Sequence, residues 1–214
     1  DLSKTGTTLT PLIEEFEEGW SFIGNDGGRL YFRTTDNAPL GRVVSIDMDD
    51  ISGNAKWTEV IPESTDTLRG VSHVGDFLAV SWMRDATSRL TLHDLNGELV
   101  RHIDLPGIGT SSGLSGWPGR DEVFYSFYSY TTPPSIFRHD LRTQETELWR
   151  QARVDFNPDD YVVKQVFVDS KDGTRFPMSI AHRSDLERNS NQPTLLYGYG
   201  GFNIPLMPSF SPSR

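Results

Sequence analysis

Not one cysteine occurs in the 214 residues. That excludes a disulfide framework, a thiolate nucleophile and a thiolate metal site. It also fits a reducing compartment, so a cytoplasmic location is expected, with the periplasm as the alternative where a signal peptide stands upstream. Positive charge is scarce as well: 20 Lys and Arg face 30 Asp and Glu, a net charge of −10. A nucleic-acid binder needs a basic footprint, so no nucleic-acid partner is expected. No apolar run approaches the roughly 18 residues of a membrane-crossing helix, so no membrane partner is expected either. The first residues, Asp1-Leu2-Ser3-Lys4-Thr5, lack the charged start and apolar run of a signal peptide. The chain does not begin with Met and ends on Ser213-Arg214 in a loop-like stretch, which reads as an internal piece of a longer protein.

Turn formers and aromatics are abundant. Nineteen glycines and 13 prolines favour β structure over long helices, and 5 Trp, 7 Tyr and 12 Phe supply a core. Residues 1–18 read as a tail, with Leu9 to Ile13 as the last strand of an earlier unit. The acidic run Glu14, Glu15, Glu17, Glu18 reads as a solvated connection, because no oxygen-ligand loop spacing follows it.

From Gly19 to about Gln151 the chain repeats. Ile46-Asp47-Met48, His93-Asp94-Leu95 and His139-Asp140-Leu141 share one pattern, and their aspartates stand 47 and 46 positions apart. Leu30-Tyr31-Phe32, Leu78-Ala79-Val80 and Phe124-Tyr125-Ser126 keep the same step, each after a turn cluster. Four short β-rich runs fill a unit. In the second they are Gly70–Val74, Phe77–Met83, Arg89–Asp94 and Leu99–Leu105, with Asn96-Gly97 as a hairpin turn. A period near 46 with four strands is the signature of a β-propeller blade. Three blades do not close a ring, so further blades are expected before Asp1. The recurring aspartates read as acceptors of turn N–H groups rather than as a metal row, and His93 and His139 as structural residues in the same slots. Trp117, Phe124, Tyr125, Phe127, Tyr128 and Tyr130 read as core packing of the third unit, with Phe124–Ser129 an inner strand packed on both sides.

Ala152 to Asp160 breaks the period and reads as a linker. Tyr161–Val168, the turn Ser170-Lys171-Asp172-Gly173 and Arg175–His182 read as a β-hairpin. Thr194 to Tyr199 is short, apolar and aromatic, which predicts a buried central strand. Gly200 and Gly201 follow, and there the backbone is expected to take φ values denied to other residues. Tyr199 then stands at a strand end with a phenolic donor, where open α/β sheets bind ligands.

The run Tyr197-Gly198-Tyr199-Gly200-Gly201-Phe202, with Asn203 to Ser211 behind it, resembles the prolyl oligopeptidases. These are serine peptidases in which a seven-bladed propeller caps an α/β-hydrolase domain, and they cut short peptides after proline. The resemblance extends upstream over nearly all of the chain. It implies a mainly β fold: a partial β-propeller of about three four-stranded blades (residues 1–151), a linker (152–160) and the first strands of an α/β-hydrolase domain (161–214). It implies that the Tyr199 hydroxyl is an oxyanion donor, that Phe202 lines the proline pocket with Gly200 and Gly201 beside it, and that no metal or organic cofactor takes part. The implied partners are a proline-containing oligopeptide and the upstream and downstream parts of the same protein. Tyr197 is not assigned, since alternation points it to the opposite face.

Acyl transfer by serine needs a nucleophile on a strand-to-helix elbow, a histidine base and oxyanion donors. Gly109-Thr110-Ser111-Ser112-Gly113 matches G-x-S-x-G, yet Leu105-Pro106-Gly107 precedes it and Leu114-Ser115-Gly116-Trp117-Pro118 follows, so neither strand nor helix flanks it. It reads as a loop between blades. All five histidines precede Tyr199, whereas the hydrolase triad runs serine, acid, histidine after that point. The triad is therefore expected outside this chain, and the segment alone inactive. Two other readings stay open: a related serine oligopeptidase of different specificity, and a propeller scaffold without activity.

Overall fold

The computed structural model describes residues 11–14, 18–51, 56–155, 157–187, 189 and 191–211. The expected strand over Leu9–Ile13 and the acidic run lie partly outside them. The chain divides into two compact units, residues 1–65 and 66–214. Among the described residues no helix is long and apolar enough to cross a membrane.

The first unit holds one antiparallel meander: β1 (Trp20–Asp26), β2 (Arg29–Thr34), β3 (Arg42–Asp47) and β4 (Thr58–Ile61), paired in that order. Gly27 turns β1 into β2 at φ +54°. Phe32, Val44 and Ile46 are buried, and Trp20 and Trp57 close over them with ring centres 4.8 Å apart. Period-2 alternation in Leu30-Tyr31-Phe32 and Val43-Val44-Ser45-Ile46 puts apolar side chains on both faces, so the sheet is buried on both.

The second unit begins with the same meander: β5 (Thr67–Val74), β6 (Phe77–Arg84), β7 (Thr87–His93) and β8 (Leu99–Ile103). The predicted runs of the second repeat meet these strands within three residues. Gly97, at φ +92°, closes the β7–β8 connection near Asn96-Gly97, as the hairpin signal foretells. The third sheet contains β9 (Thr110–Ser111), β10 (Ser115–Gly116), β11 (Glu122–Tyr128), β12 (Ser135–Asp140) and β13 (Thr146–Gln151). Both β9 and β10 pair with β11, so its first strand is one strand interrupted at residues 112–114. β11 alternates cleanly: Val123, Tyr125 and Phe127 are buried, while Phe124, Ser126 and Tyr128 are half-buried. β11 is thus an inner strand with packing on both faces, one fully buried and the other half-buried, where Phe124 meets the Trp149 ring with centres 5.9 Å apart; Trp117, expected in the core, is instead 77% exposed.

The second and third sheets share one core. Val74, Ala79, Leu90, Leu92 and Ile103 meet Leu114, Val123, Tyr125, Phe127 and Leu141. Each fully buried Leu, Val or Phe contributes about 1.5–3 kcal/mol over exposure. Backbone pairing stitches the seam: Gly75 N–H donates to the Trp117 carbonyl, and Gly119 N–H to the Gly75 carbonyl, both at 3.0 Å. A Cβ at Gly75 would stand 2.8 Å from Leu141 Cδ1, so the close approach requires glycine.

After the 3-10 turn Pro158–Asp160 come β14 (Tyr161–Asp169) and β15 (Arg175–Arg183), a nine-pair antiparallel hairpin in unbroken register. Gly173 sits at φ +85° and Thr174 N–H donates to Asp172 Oδ1, which is the turn that Asp-Gly predicts. The predicted third strand is not formed. Thr194–Tyr199 pairs with nothing among the described residues, and Leu195 and Leu196 are 84% and 83% exposed. An apolar run becomes a strand only where a neighbour accepts its backbone hydrogen bonds, and no described strand is aligned to do so. The described residues thus form a mainly β structure, and no α/β-hydrolase sheet is assembled in them.

Candidate functional site

Tyr199 is 49% exposed and stands in irregular backbone rather than at a strand end. Its ring lies over Gly201. A Cβ there would come within 3.1 Å of the phenolic oxygen and 3.2 Å of the carbon bearing it. The missing side chain at Gly201 is what lets the phenol rest against backbone. Gly200 meets nothing within 4 Å of its own Cβ position.

The backbone then reverses. Ile204 N–H donates to the Gly201 carbonyl at 3.1 Å, with Phe202 at φ +56° and Asn203 at φ +52°. Two successive left-handed residues closed by such a bond make a type I′ pattern. The positive φ expected at Gly200 and Gly201 falls instead on Phe202 and Asn203. Asn tolerates that region; an aromatic residue is held there at a cost of about 1–3 kcal/mol. The turn throws the Phe202 ring outward, 92% exposed. The structure therefore brings Tyr199 and Gly201 into contact, leaves Gly200 open, and keeps Phe202 apart with a bare aromatic face. Chemically this is one half-exposed O–H donor and, separate from it, one exposed apolar ring.

Sequence reasoning missed two long-range contacts, one fastening the stretch that follows this turn and the other fastening β14 of the hairpin to the second sheet. Thr110 Oγ1 donates to the Pro208 carbonyl at 2.6 Å, and Gln165 Nε2 donates to the Asp85 carbonyl at 2.7 Å. Partners 98 and 80 positions apart leave no local pattern to read.

The remaining candidates are structural. Ser111, centre of the G-x-S-x-G match, is buried in β9; its N–H donates to Ser88 Oγ and its Oγ accepts from Gly113 N–H. It lies on no strand-to-helix elbow. Asp94 Oδ1 accepts from the N–H groups of Asn96 and Glu98, and Asp140 Oδ1 from those of Arg142 and Thr143. These are the turn roles read from the repeat; Asp47 makes no such cap bond before its 3-10 turn. His93 Nδ1 faces the Gly97 carbonyl at 2.9 Å and Nε2 the Thr91 hydroxyl at 3.0 Å. A carbonyl only accepts, so Nδ1 carries the proton and Nε2 accepts from Thr91, which in turn accepts from Trp82 Nε1–H at 2.8 Å. Burial pushes the His93 pKa down; it does the same to His139, where the nearby Arg101 cation adds to it. Among the described residues no group of three His, Asp or Glu has metal-holding geometry.

The family model "Prolyl oligopeptidase, N-terminal beta-propeller domain" matches residues 1–152. A prolyl endopeptidase of Elizabethkingia miricola is 39% identical over 208 residues, 97% of this chain and 29% of that protein. One of Dictyostelium discoideum is 34% identical over 221 residues, 98% of this chain and 29% of that protein. A solved structure from a structural and mechanistic analysis of two prolyl endopeptidases superposes with a TM-score of 0.84 at 40% identity, covering 94% of this chain and 30% of that one. Prolyl oligopeptidase B from Galerina marginata, bound to a 35mer hydrolysis and macrocyclization substrate, gives 0.86 at 26% identity, covering 98% and 30%. The chain thus spans less than a third of the length of these relatives. With its repeated four-stranded meanders and the match over residues 1–152, the chain belongs to the prolyl oligopeptidase family.

Proposed function

We propose that this chain is part of a serine oligopeptidase that hydrolyses short proline-containing peptides on the carboxyl side of proline through an acyl-enzyme. In this reading its three four-stranded repeats are propeller blades that restrict entry to short, unfolded peptides. Residues 152–160 are the linker, and 161–214 begin the α/β-hydrolase domain. The nucleophile, acid and base come from the downstream part of the protein.

The carrying observation is the Tyr199 hydroxyl, half-exposed and resting on the Gly201 backbone, in a chain whose relatives are named prolyl endopeptidases. A phenol is a hydrogen-bond donor. Held in place before reaction, it stabilises the oxyanion of the tetrahedral intermediate more than the neutral carbonyl, and so accelerates the step. Phe202 offers an apolar face suited to a proline ring. When the downstream domain supplies neighbouring strands, Thr194–Tyr199 pairs as a strand and presents Tyr199 at its end.

The test is cleavage by the full-length protein of an N-blocked reporter peptide with proline at the scissile bond, beside an arginine reporter. The proline reporter is expected to be the substrate; preference for arginine overturns the specificity. Tyr199→Phe is expected to lower kcat by about 10²-fold with little change in KM. Turnover near the wild-type level removes Tyr199 from the oxyanion site.

A further inference from the structure

The Gly109–Gly113 segment is not a nucleophile elbow, yet it is unusually fixed. A Cβ at Gly109 would stand 2.4 Å from the Phe127 ring and 2.6 Å from the Tyr128 carbonyl, so only glycine fits. Ser88 N–H donates to the Gly109 carbonyl, and Ser111 N–H to Ser88 Oγ, at 3.0 and 2.9 Å. On the other side Thr110 and Ser111 pair with Tyr128 and Phe127 of β11. Thr110 is therefore gripped by two sheets at once, and its hydroxyl is the group that leaves the propeller. It donates to the Pro208 carbonyl at 2.6 Å, and Pro208 is itself buried.

Pro208 follows the Gly201–Ile204 turn by four residues, and that segment begins and ends in proline, Pro205-Leu206-Met207-Pro208. Each proline fixes its own φ, and Pro208 also restricts Met207. A stiff connection of this length transmits position with little slack. At its far end the turn carries Phe202 on one side and Gly201, under the Tyr199 ring, on the other.

We propose that Thr110 is a positioning residue for the oxyanion donor: its hydroxyl anchors Pro208 to the propeller and so sets where Tyr199 stands. The proposal rests on the Tyr199 reading above and adds a residue of the propeller to the catalytic geometry without giving it contact with substrate. A donor misplaced by about 1 Å costs up to about 100-fold in rate, while ground-state binding is little affected.

The experiment uses the full-length protein and the proline reporter. Thr110→Val keeps the shape and removes the donor. It is expected to lower kcat by about 10-fold or more with KM nearly unchanged, and Thr110→Ser, which keeps a hydroxyl, is expected to restore it. The double variant Thr110→Val with Tyr199→Phe is expected to be no slower than Tyr199→Phe alone, because a residue acting through Tyr199 has nothing left to position. Thr110→Ala is read in parallel, so that misfolding of the valine variant does not close the question. Wild-type kcat in the Thr110 variants, with Tyr199→Phe impaired, overturns this proposal and leaves the Tyr199 reading intact. Multiplying losses in the double variant overturn it as well, since they make Thr110 a general structural contact. Wild-type turnover in Tyr199→Phe removes both.

Discussion

Two apolar runs of similar composition end in opposite states. Phe77-Leu78-Ala79-Val80-Ser81-Trp82 becomes the central strand β6, with Leu78 to Trp82 buried. Thr194-Leu195-Leu196-Tyr197-Gly198-Tyr199 becomes irregular chain with Leu195, Leu196 and Tyr197 exposed. Local propensity does not separate them. β6 has β5 and β7 beside it, joined by short turns at Gly75 and at Asp85-Ala86, so its pairing is nearly local. A central strand of a parallel sheet depends on neighbours brought from a distance by crossover connections. The difference shows that β structure is a property of the pair, and that an exposed apolar run is a statement about an unpaired one.

The strongest test of the contrast is deletion of one leucine side chain in each run's surroundings. Leu92, fully buried between the second and third sheets, is expected to cost about 2–5 kcal/mol when changed to Ala. Leu196→Ala in the same 214-residue chain is expected to stay within about 0.5 kcal/mol. Denaturant unfolding of the two variants reads the difference. In the full-length protein the Leu196 effect is expected to rise toward that of Leu92, because the run then gains strand partners. An effect that stays small in both contexts breaks the claim that Thr194–Tyr199 is a strand awaiting its sheet.

Much of the propeller-like part was legible because its signals are local. The Asp-x-x-Gly turn at Asp94–Gly97 and the Asp-Gly turn at Asp172–Gly173 encode their geometry within four residues. The aspartate repeat is visible because an aspartate stands at the end of the third strand of each sheet; in the second and third sheets it caps the turn that follows, while Asp47 makes no such bond. The interrupted first strand of the third sheet was not legible, since Thr110–Ser111 and Ser115–Gly116 are too short and polar to show a period. At the candidate site the residues were identifiable but not their backbone. The glycine pair draws attention to itself, while the left-handed conformation falls on Phe202 and Asn203, set by the Gly201–Ile204 bond. The hooks at Thr110 and Gln165 are single side-chain contacts to carbonyls and have no sequence signature.

Glycines sharpen the comparison at a smaller scale. Gly75 combines φ +54° with a Cβ position 2.8 Å from Leu141 Cδ1 and 3.3 Å from the Arg120 carbonyl. Gly75→Ala is expected to lose about 1–3 kcal/mol from strain and overpacking. Gly200→Ala meets open space and no left-handed φ, so it is expected to be neutral or to gain up to about 1 kcal/mol through a stiffer unfolded chain. Thermal unfolding of both variants checks the ordering. If Gly200→Ala leaves stability untouched in the full-length protein but abolishes peptide cleavage, the glycine serves substrate approach rather than folding.

The smallest effect is a pH dependence that arises in the buried sheets, at His93 of β7 and His139 of β12, and has no counterpart in the exposed run. His93 is neutral in the fold, with Nδ1–H given to the Gly97 carbonyl and Nε2 taken by Thr91. A proton on Nε2 leaves the Thr91 hydroxyl without that acceptor and places a charge among apolar neighbours. Asp94 and the Gly97 carbonyl favour the proton, burial and His102 oppose it, and burial wins, so the folded pKa lies below the ordinary 6.5. The unfolded chain then binds more protons than the folded one between that lowered value and about 6.5, and stability rises with pH across this window. Above it the contribution is flat; as pH falls through it, stability is lost at no more than about 1.4 kcal/mol per pH unit for this residue. His139 adds a second loss of the same sign, since its pKa is also lowered. His93→Asn places an amide N–H where Nδ1–H stood and does not titrate. Its unfolding midpoint is expected to fall less steeply than that of the wild type between pH 7 and 5.5. Parallel pH profiles for the two proteins mean that His93 is already free to take a proton in the fold, and that the Trp82–Thr91–His93 chain does not hold its tautomer.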